Sequence, residues 1–235
     1  MIKRNLPNAI TLLNLLGGCC TVVCILYGQF ETAFIFYVFS SVTDFLDGAV
    51  ARALQVKSEL GVQLDSLADM VSFGLVPGLI FYSLLEPDAV QELHWAALPG
   101  FVVTLFSALR LGKFNLDTRQ TDTFLGLPTP ACTMFTIGLM LIAHFDSYGL
   151  GVWVTQPLFL YGCIAVLSFL LISELPMFNL KFRQLQWKGN EIRIIFAVAA
   201  AVALFGLREA AFALIIIAYI ALSVAIHLFN GKQAS

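Results

Sequence analysis

Four aspartates lie within 26 residues of this 235-residue chain: Asp44, Asp47, Asp65 and Asp69. The first two are three positions apart and the second two are four apart, with Gly48, Ala51, Arg52 and Gly61 between the pairs. At about 100° per residue, Asp44, Asp47, Gly48, Ala51 and Arg52 share a helical arc of roughly 140°. On the same measure Gly61, Asp65 and Asp69 share roughly 80°, and Ser72 joins them. Phe45, Leu46, Leu64 and Leu67 turn mostly elsewhere. Two helices, each with one polar stripe and joined by a short loop, are therefore expected as antiparallel neighbours with their stripes facing.

Both aspartate pairs sit at the ends of apolar runs. A carboxylate within a membrane span costs about 2.5–3.5 kcal/mol, and four together also repel one another. A shared proton relieves part of this; two divalent cations would neutralise all of it. Hard oxygen donors favour Mg²⁺ or Mn²⁺ over zinc, and two such ions about 4 Å apart suit phosphoryl transfer. Glycine inside a helix costs about 1 kcal/mol against alanine. Gly48 and Gly61, with Ala51, thus suggest space beside the carboxylates for a flat object packed close to the backbone. Arg52 is suited to bidentate contact with a phosphate. Together these residues imply a phosphate-bearing, nucleotide-containing substrate. Small residues also pack membrane helices together, and one aspartate at a helix end needs no special explanation. Four aspartates, two glycines and an arginine in register are not explained that way.

The elements that must position these residues are membrane spans. Hydrophobic residues make up 59% of the chain and charged residues 12%, with a mean hydropathy of +0.87. Soluble domains carry about a quarter charged residues. The composition excludes a water-soluble globule, a disordered chain and a basic nucleic-acid binder. Apolar runs predict about eight segments, near 10–28, 32–54, 62–85, 95–112, 130–146, 152–173, 191–206 and 209–229, each close to the roughly 20 residues a span needs. An all-α polytopic bundle follows. Lys3, Arg4, Arg52, Lys57, Arg110, Lys113, Arg119, Lys181, Arg183, Lys188, Arg193 and Lys232 all fall on one side of it, leaving only Arg208 on the other. The positive-inside rule makes the first side cytoplasmic, with both termini and the aspartates on it. Lys3-Arg4 before an apolar run is leader-like, but the rest of the chain is just as apolar, so an uncleaved first span is expected. The five cysteines form no CxxC pair and have no zinc-like spacing with histidine.

The aspartate segment resembles the signature of the CDP-alcohol phosphotransferase family, D-x2-D-G-x2-A-R-x8-G-x3-D-x3-D. Asp44, Asp47, Gly48, Ala51, Arg52, Gly61, Asp65 and Asp69 occupy all its fixed positions. The resemblance implies a six-helix core, here residues 1–175, with a C-terminal helical pair at 176–235, and a homodimer. It implies two metal ions held by Asp44, Asp47, Asp65 and Asp69, with Asp69 as general base. It also assigns the CDP and diphosphate groups to Asp44, Gly48, Ala51, Arg52, Gly61 and Asp65. Outside the signature, Asn8–Gly17, Ser66–Gly74, Ala108–Asn115 and Gly126–Pro130 resemble the membrane-integral phosphatidylserine synthases of that family. Gly112 before Lys113 departs mildly from their pattern. The activity so implied joins CDP-diacylglycerol and L-serine and releases CMP. Serine needs a cation for its carboxylate, and Arg110, Lys113 and Arg119 are candidates, with Ser72 and Asn115 as polar helpers. Two other readings remain open. Glycerol 3-phosphate or inositol phosphate as acceptor would call for more cations at the site. A cation transporter would spread its acidic residues through the membrane depth.

Overall fold

A computed structural model describes residues 2–56, 58–86, 93–116, 124–178 and 190–233. It is an all-α membrane bundle. Its helices are α1 (Ile2–Leu26), α2 (Phe30–Leu54), α3 (Glu59–Asp69), α4 (Val76–Leu85), α5 (Val102–Leu116), α6 (Thr129–Phe145), α7 (Gly151–Val154), α8 (Pro157–Ile172), α9 (Glu191–Leu207) and α10 (Ala210–Gln233). Among the described residues, four stretches are long and apolar enough to cross a membrane: Asn5–Leu26, Phe30–Leu54, Glu59–Leu85 and Ala210–Leu228. Thr129–Phe145 and Pro157–Ile172 are shorter apolar helices. A two-residue ladder pairs β1 (Phe124–Leu125) antiparallel with β2 (Pro176–Met177).

The eight expected segments correspond to α1, α2, α3 with α4, α5, α6, α7 with α8, α9 and α10. The sixth is interrupted, with Gln156 extended (φ −62°, ψ 127°) ahead of Pro157. A residue before proline is pushed out of the helical region, and proline at the first turn then opens α8. The third contains a wide π turn, Met70–Leu75, directly after Asp69. Its cause is legible in Pro77, which has no N–H to return to the carbonyl of Phe73 and whose ring crowds it. The Thr133 hydroxyl of α6 lies 2.9 Å from both Phe73 O and Thr129 O of its own helix, and so places a donor beside the freed carbonyl. Phe73, Val76, Ile80 and Phe81 around this turn are fully buried and form the centre of the core with Ile137 and Met140 of α6.

The helix between the two aspartate-bearing elements is α1. It packs against both α2 and α3, whereas α2 and α3 stand apart at the backbone and meet through their aspartates. Direct antiparallel packing was the expectation from the short loop; α1 instead takes that position. The turn itself is built as its residues dictate. Gln55, in the left-handed region at φ 53°, ends α2. Ser58 caps α3, its hydroxyl accepting from Gly61 N at 3.0 Å, the usual remedy for free N–H groups at a helix start. At the other end of the chain, α10 lies on α6 so closely that a Cβ on Gly138 would stand 2.6 Å from Ala213 N. No residue of α9 is buried.

Candidate active site

The aspartates of both helices reach one place. Carboxylate oxygens of Asp44, Asp47 and Asp65 lie within 4.8 Å of one another, and the carboxyl groups of Asp69 and Asp44 are in contact. Asp47 is buried, and the other three are half-buried. Such a group of hard oxygen donors from two separate helices could hold a divalent cation, and three of the four aspartates singled out in the sequence form it.

Beside the carboxylates a cavity of about 150 Å³ opens among α1, α2 and α3. Asp47, Gly48, Ala51, Gly61 and Asp65 line it, together with Pro7, Asn8 and Thr11 of α1. The space above Gly48 is shared with Arg52, whose Nη1 would stand 3.3 Å from a Cβ there. Beside Gly61 are Ser58 Oγ and Asn8 Oδ1, at 2.8 and 3.0 Å from the equivalent point. Both glycines therefore admit polar side chains of this chain close to the backbone. Arg52 itself is exposed at the end of α2.

A third contributor was not anticipated. Thr11 of α1 donates its hydroxyl to Asp47 Oδ2 at 2.6 Å. Asn14, one turn further and fully buried, directs Nδ2 at Asp69 Oδ1 at 3.5 Å. The Asn14 carboxamide oxygen accepts from Ser40 Oγ of α2, and its backbone carbonyl accepts from Ser72 Oγ at 3.1 Å. Asn14 thus ties α1 to α2, to the π turn and to the last aspartate at once. Asn5, Asn8, Thr11 and Asn14 recur every three residues along α1, but uncharged residues at that spacing do not by themselves separate a site contact from helix packing.

The residues proposed for an acceptor separate into two kinds. Arg110 is buried within α5, in electrostatic range of Asp69 and with its guanidinium 5.9 Å from the Phe114 ring centre. Its Nε has no hydrogen-bond partner among the described residues. Ser72 is also buried, but its hydroxyl donates to Asn14 O and it packs on Gly18, so its proton serves the joint between α1 and the π turn. Lys113 and Asn115 are exposed near the end of α5, and Asn115 Nδ2 donates to Ser66 Oγ at 2.8 Å. Arg119 and Lys57 lie outside the described residues.

A membrane-embedded helical bundle with clustered carboxylates beside a cavity lined by glycine and alanine defines a class of integral-membrane transferase. Residues 4–175 match the model of the CDP-alcohol phosphatidyltransferase family, and the chain belongs to that family. Curated relatives point the same way. A protein of Mycobacterium leprae named CDP-diacylglycerol–serine O-phosphatidyltransferase is 34% identical over 179 residues, covering 73% of this chain and 57% of its own length. One of the same name from Bacillus subtilis is 30% identical over 177 residues, 75% of this chain and 91% of that protein. Another from Methanocaldococcus jannaschii is 29% identical over 209 residues, covering 88% and 87%. This chain spans less than two thirds of the mycobacterial relatives, 57% and 60% of two of them.

Proposed function

We propose that this protein transfers the phosphatidyl group of CDP-diacylglycerol to the hydroxyl of L-serine, releasing CMP. The convergence of Asp44, Asp47, Asp65 and Asp69 carries the reading, and the shared name of relatives from bacteria and an archaeon supports the acceptor. Asp44, Asp47, Asp65 and Asp69 would hold two divalent cations, Mg²⁺ or Mn²⁺, which when bound neutralise the diphosphate and the charge growing on the departing CMP. Gly48, Ala51 and Gly61 leave room for the nucleotide in the cavity between α1, α2 and α3, with Asp44 and Asp65 beside it. Arg52, at its mouth, pairs with a phosphate oxygen.

Asp69 accepts the proton of the serine hydroxyl as that oxygen attacks the phosphorus bearing diacylglycerol. The carboxamide of Asn14 orients Asp69 from behind. Arg110 receives the serine carboxylate, being a buried cation on the Asp69 side, with Lys113 and Asn115 further out along α5 and Ser72 acting through Asn14. The site belongs on the cytoplasmic face of the cell's inner membrane, with both termini on that face, because the basic residues gather there. That position lets the lipid enter sideways while serine and CMP exchange with water. Residues 1–175 form the catalytic core, the C-terminal pair at 176–235 packs on it, and the working unit is a homodimer.

The test is CMP release from CDP-diacylglycerol in purified protein, with and without serine and with and without Mn²⁺ or Mg²⁺. Serine-dependent release that requires a divalent ion is expected. Release driven by glycerol 3-phosphate or inositol phosphate, and not by serine, overturns the substrate assignment; divalent-cation uptake into proteoliposomes without any CMP release overturns the enzyme.

A further inference from the structure

Arg208 stands apart in the sequence as the basic residue on the side of the bundle away from the aspartates, and the proposed reaction gives it no part. It sits at the corner where α9 turns into α10. Along α2, Glu31 precedes Asp47 by 16 residues, about 24 Å at 1.5 Å per residue. The end of the bundle that carries Glu31 is therefore opposite the acidic cluster. Further along α10 the C-terminal pair is tied to Phe178, whose carbonyl accepts from Tyr219 Oη at 3.0 Å and whose amide donates to Ser223 Oγ at 3.1 Å. At the far corner Tyr148 Oη donates to Gly206 O at 3.2 Å, and Ser147 Oγ donates to Glu209 Oε2 at 3.3 Å.

Beside this corner a cavity of about 590 Å³ opens between α2, α6, α9 and α10, within the roughly 300–1,000 Å³ of ligand sites. Its walls change character with depth in the same way on three elements. Glu31 of α2 is followed one turn in by Phe34, Arg208 is preceded one turn in by Leu204, and Glu209 is followed one turn in by Phe212. Phe34 and Phe212 meet edge to face, their ring centres 5.2 Å apart, and join the apolar walls. The rim carries both signs of charge and is accessible. The Arg208 side chain is 78% exposed, with Nε 3.8 Å from Glu209 Oε1. The Glu31 side chain is 68% exposed, with Oε1 3.6 Å from His144 Nε2. Arg208 also has φ 49° and ψ −121°, a backbone that glycine adopts more readily, although Gly206 lies two positions earlier. A bulky residue kept in such a conformation marks a place where its side chain has a use.

Charge at the rim and hydrocarbon below is the pattern of a phospholipid, and an arginine guanidinium matches its phosphate. Glu31 and Glu209 beside Arg208 disfavour a purely anionic headgroup and favour one that also carries a cation. We propose that this cavity is a lipid site on the face opposite the acidic cluster, seating a zwitterionic phospholipid with a primary ammonium. Arg208 takes the phosphate, Glu31 takes the ammonium, and an acyl chain lies over Leu204, Phe34 and Phe212. The bound lipid joins α2 to the α9–α10 corner, and so fastens the C-terminal pair at the end away from Phe178. The site is independent of the acceptor and of the transfer reaction.

The experiment uses the full chain in detergent with dioleoyl-phosphatidylethanolamine, dioleoyl-phosphatidylglycerol or chain-free glycerophosphoethanolamine added. Native mass spectrometry reads the affinity and thermal unfolding reads the stabilisation. The ethanolamine lipid is expected to bind and to raise the unfolding temperature, the glycerol lipid to bind several-fold more weakly, and the chain-free headgroup to do neither. Arg208→Gly relaxes the turn, so the unfolding temperature without lipid should not fall, while affinity for the ethanolamine lipid drops about tenfold, as for a lost hydrogen bond to a charged group. Glu31→Gln should weaken the ethanolamine lipid by a similar factor and spare the glycerol lipid, so that the preference between them disappears. Tighter binding of the glycerol lipid to the wild type, equal stabilisation by the chain-free headgroup, or unchanged affinity in both variants overturns the proposal. So does an Arg208→Gly protein that unfolds earlier yet keeps its full response to lipid, since the arginine is then structural. Lipid held at the aspartates would persist in both variants, and so counts against this site.

Discussion

Thr11 and Asp47 join α1 to the acidic cluster: the Thr11 hydroxyl donates to Asp47 Oδ2 at 2.6 Å, inside the bundle, from a helix that carries no carboxylate of its own. The same hydroxyl also lies 3.1 Å from the carbonyl of Pro7, one turn back. A carboxylate that must bind a cation keeps one oxygen oriented by such a donor while the other faces the ion, and partners of this kind tune metal affinity. Thr11→Val preserves shape and removes the hydroxyl. The Mn²⁺ or Mg²⁺ concentration giving half-maximal CMP release is expected to rise about tenfold, while activity at saturating metal recovers. A metal titration that superimposes on the wild type would show that Thr11 serves packing alone.

Asp69 differs from the other three aspartates in its surroundings. It contacts Asp44 and has the Asn14 carboxamide behind it, and Arg110 is within electrostatic range. Asp69→Asn keeps volume and hydrogen-bonding capacity but cannot accept a proton. Turnover should fall by about 10²–10⁴-fold, the usual worth of a general base, with the protein still inserted and monodisperse in detergent. Wild-type-like turnover in this variant would transfer the proton-accepting role elsewhere.

The Phe73 carbonyl gives a test independent of catalysis. Pro77 denies it a helical partner, and Thr133 Oγ1 places a donor beside it from α6. Thr133→Val removes the hydroxyl donor beside this buried carbonyl and is expected to lower stability by about 1–3 kcal/mol. In the Pro77→Ala background the backbone N–H regained at that position can answer Phe73, so the same substitution should cost less. Thermal unfolding in one detergent decides it: equal losses in both backgrounds would separate the π turn from Pro77.

The acidic cluster was readable because carboxylates are costly in apolar helices; four at helical spacing on consecutive spans stand out against a chain that is only 12% charged. The spans were readable for the matching reason, as long apolar runs between polar breaks. The contribution of α1 was not, because Thr11 and Asn14 are uncharged, and lone hydroxyls or amides on a membrane helix serve equally well as glue between helices. Ser72 is such a case, sharing the face of Asp65 and Asp69 by spacing but spending its proton on Asn14 O. Spacing along one helix cannot reveal which neighbour fills the gap opposite, and here α1 fills it. The π turn had its sign in Pro77, but its partner Thr133 lies 60 residues away from Phe73 in sequence, a pairing that only the folded bundle brings about.

Gly138 sets how closely the C-terminal helix approaches the core. A Cβ at this position would lie 2.6 Å from Ala213 N and 3.0 Å from Ala213 Cβ, so backbone must move to admit one. Overpacking of this kind costs about 1–3 kcal/mol. Gly138→Val should push α10 away from α6, and Tyr219 and Ser223, further along the same helix, should be carried with it. Disulfide trapping between cysteines placed at Phe178 and Ser223, in a variant without the native cysteines, reads the separation directly. Cross-linking should be efficient with Gly138 intact and fall several-fold in Gly138→Val. If it persists while the unfolding temperature drops, α10 yields at Ala213 alone and holds Phe178 without help from the α6 contact.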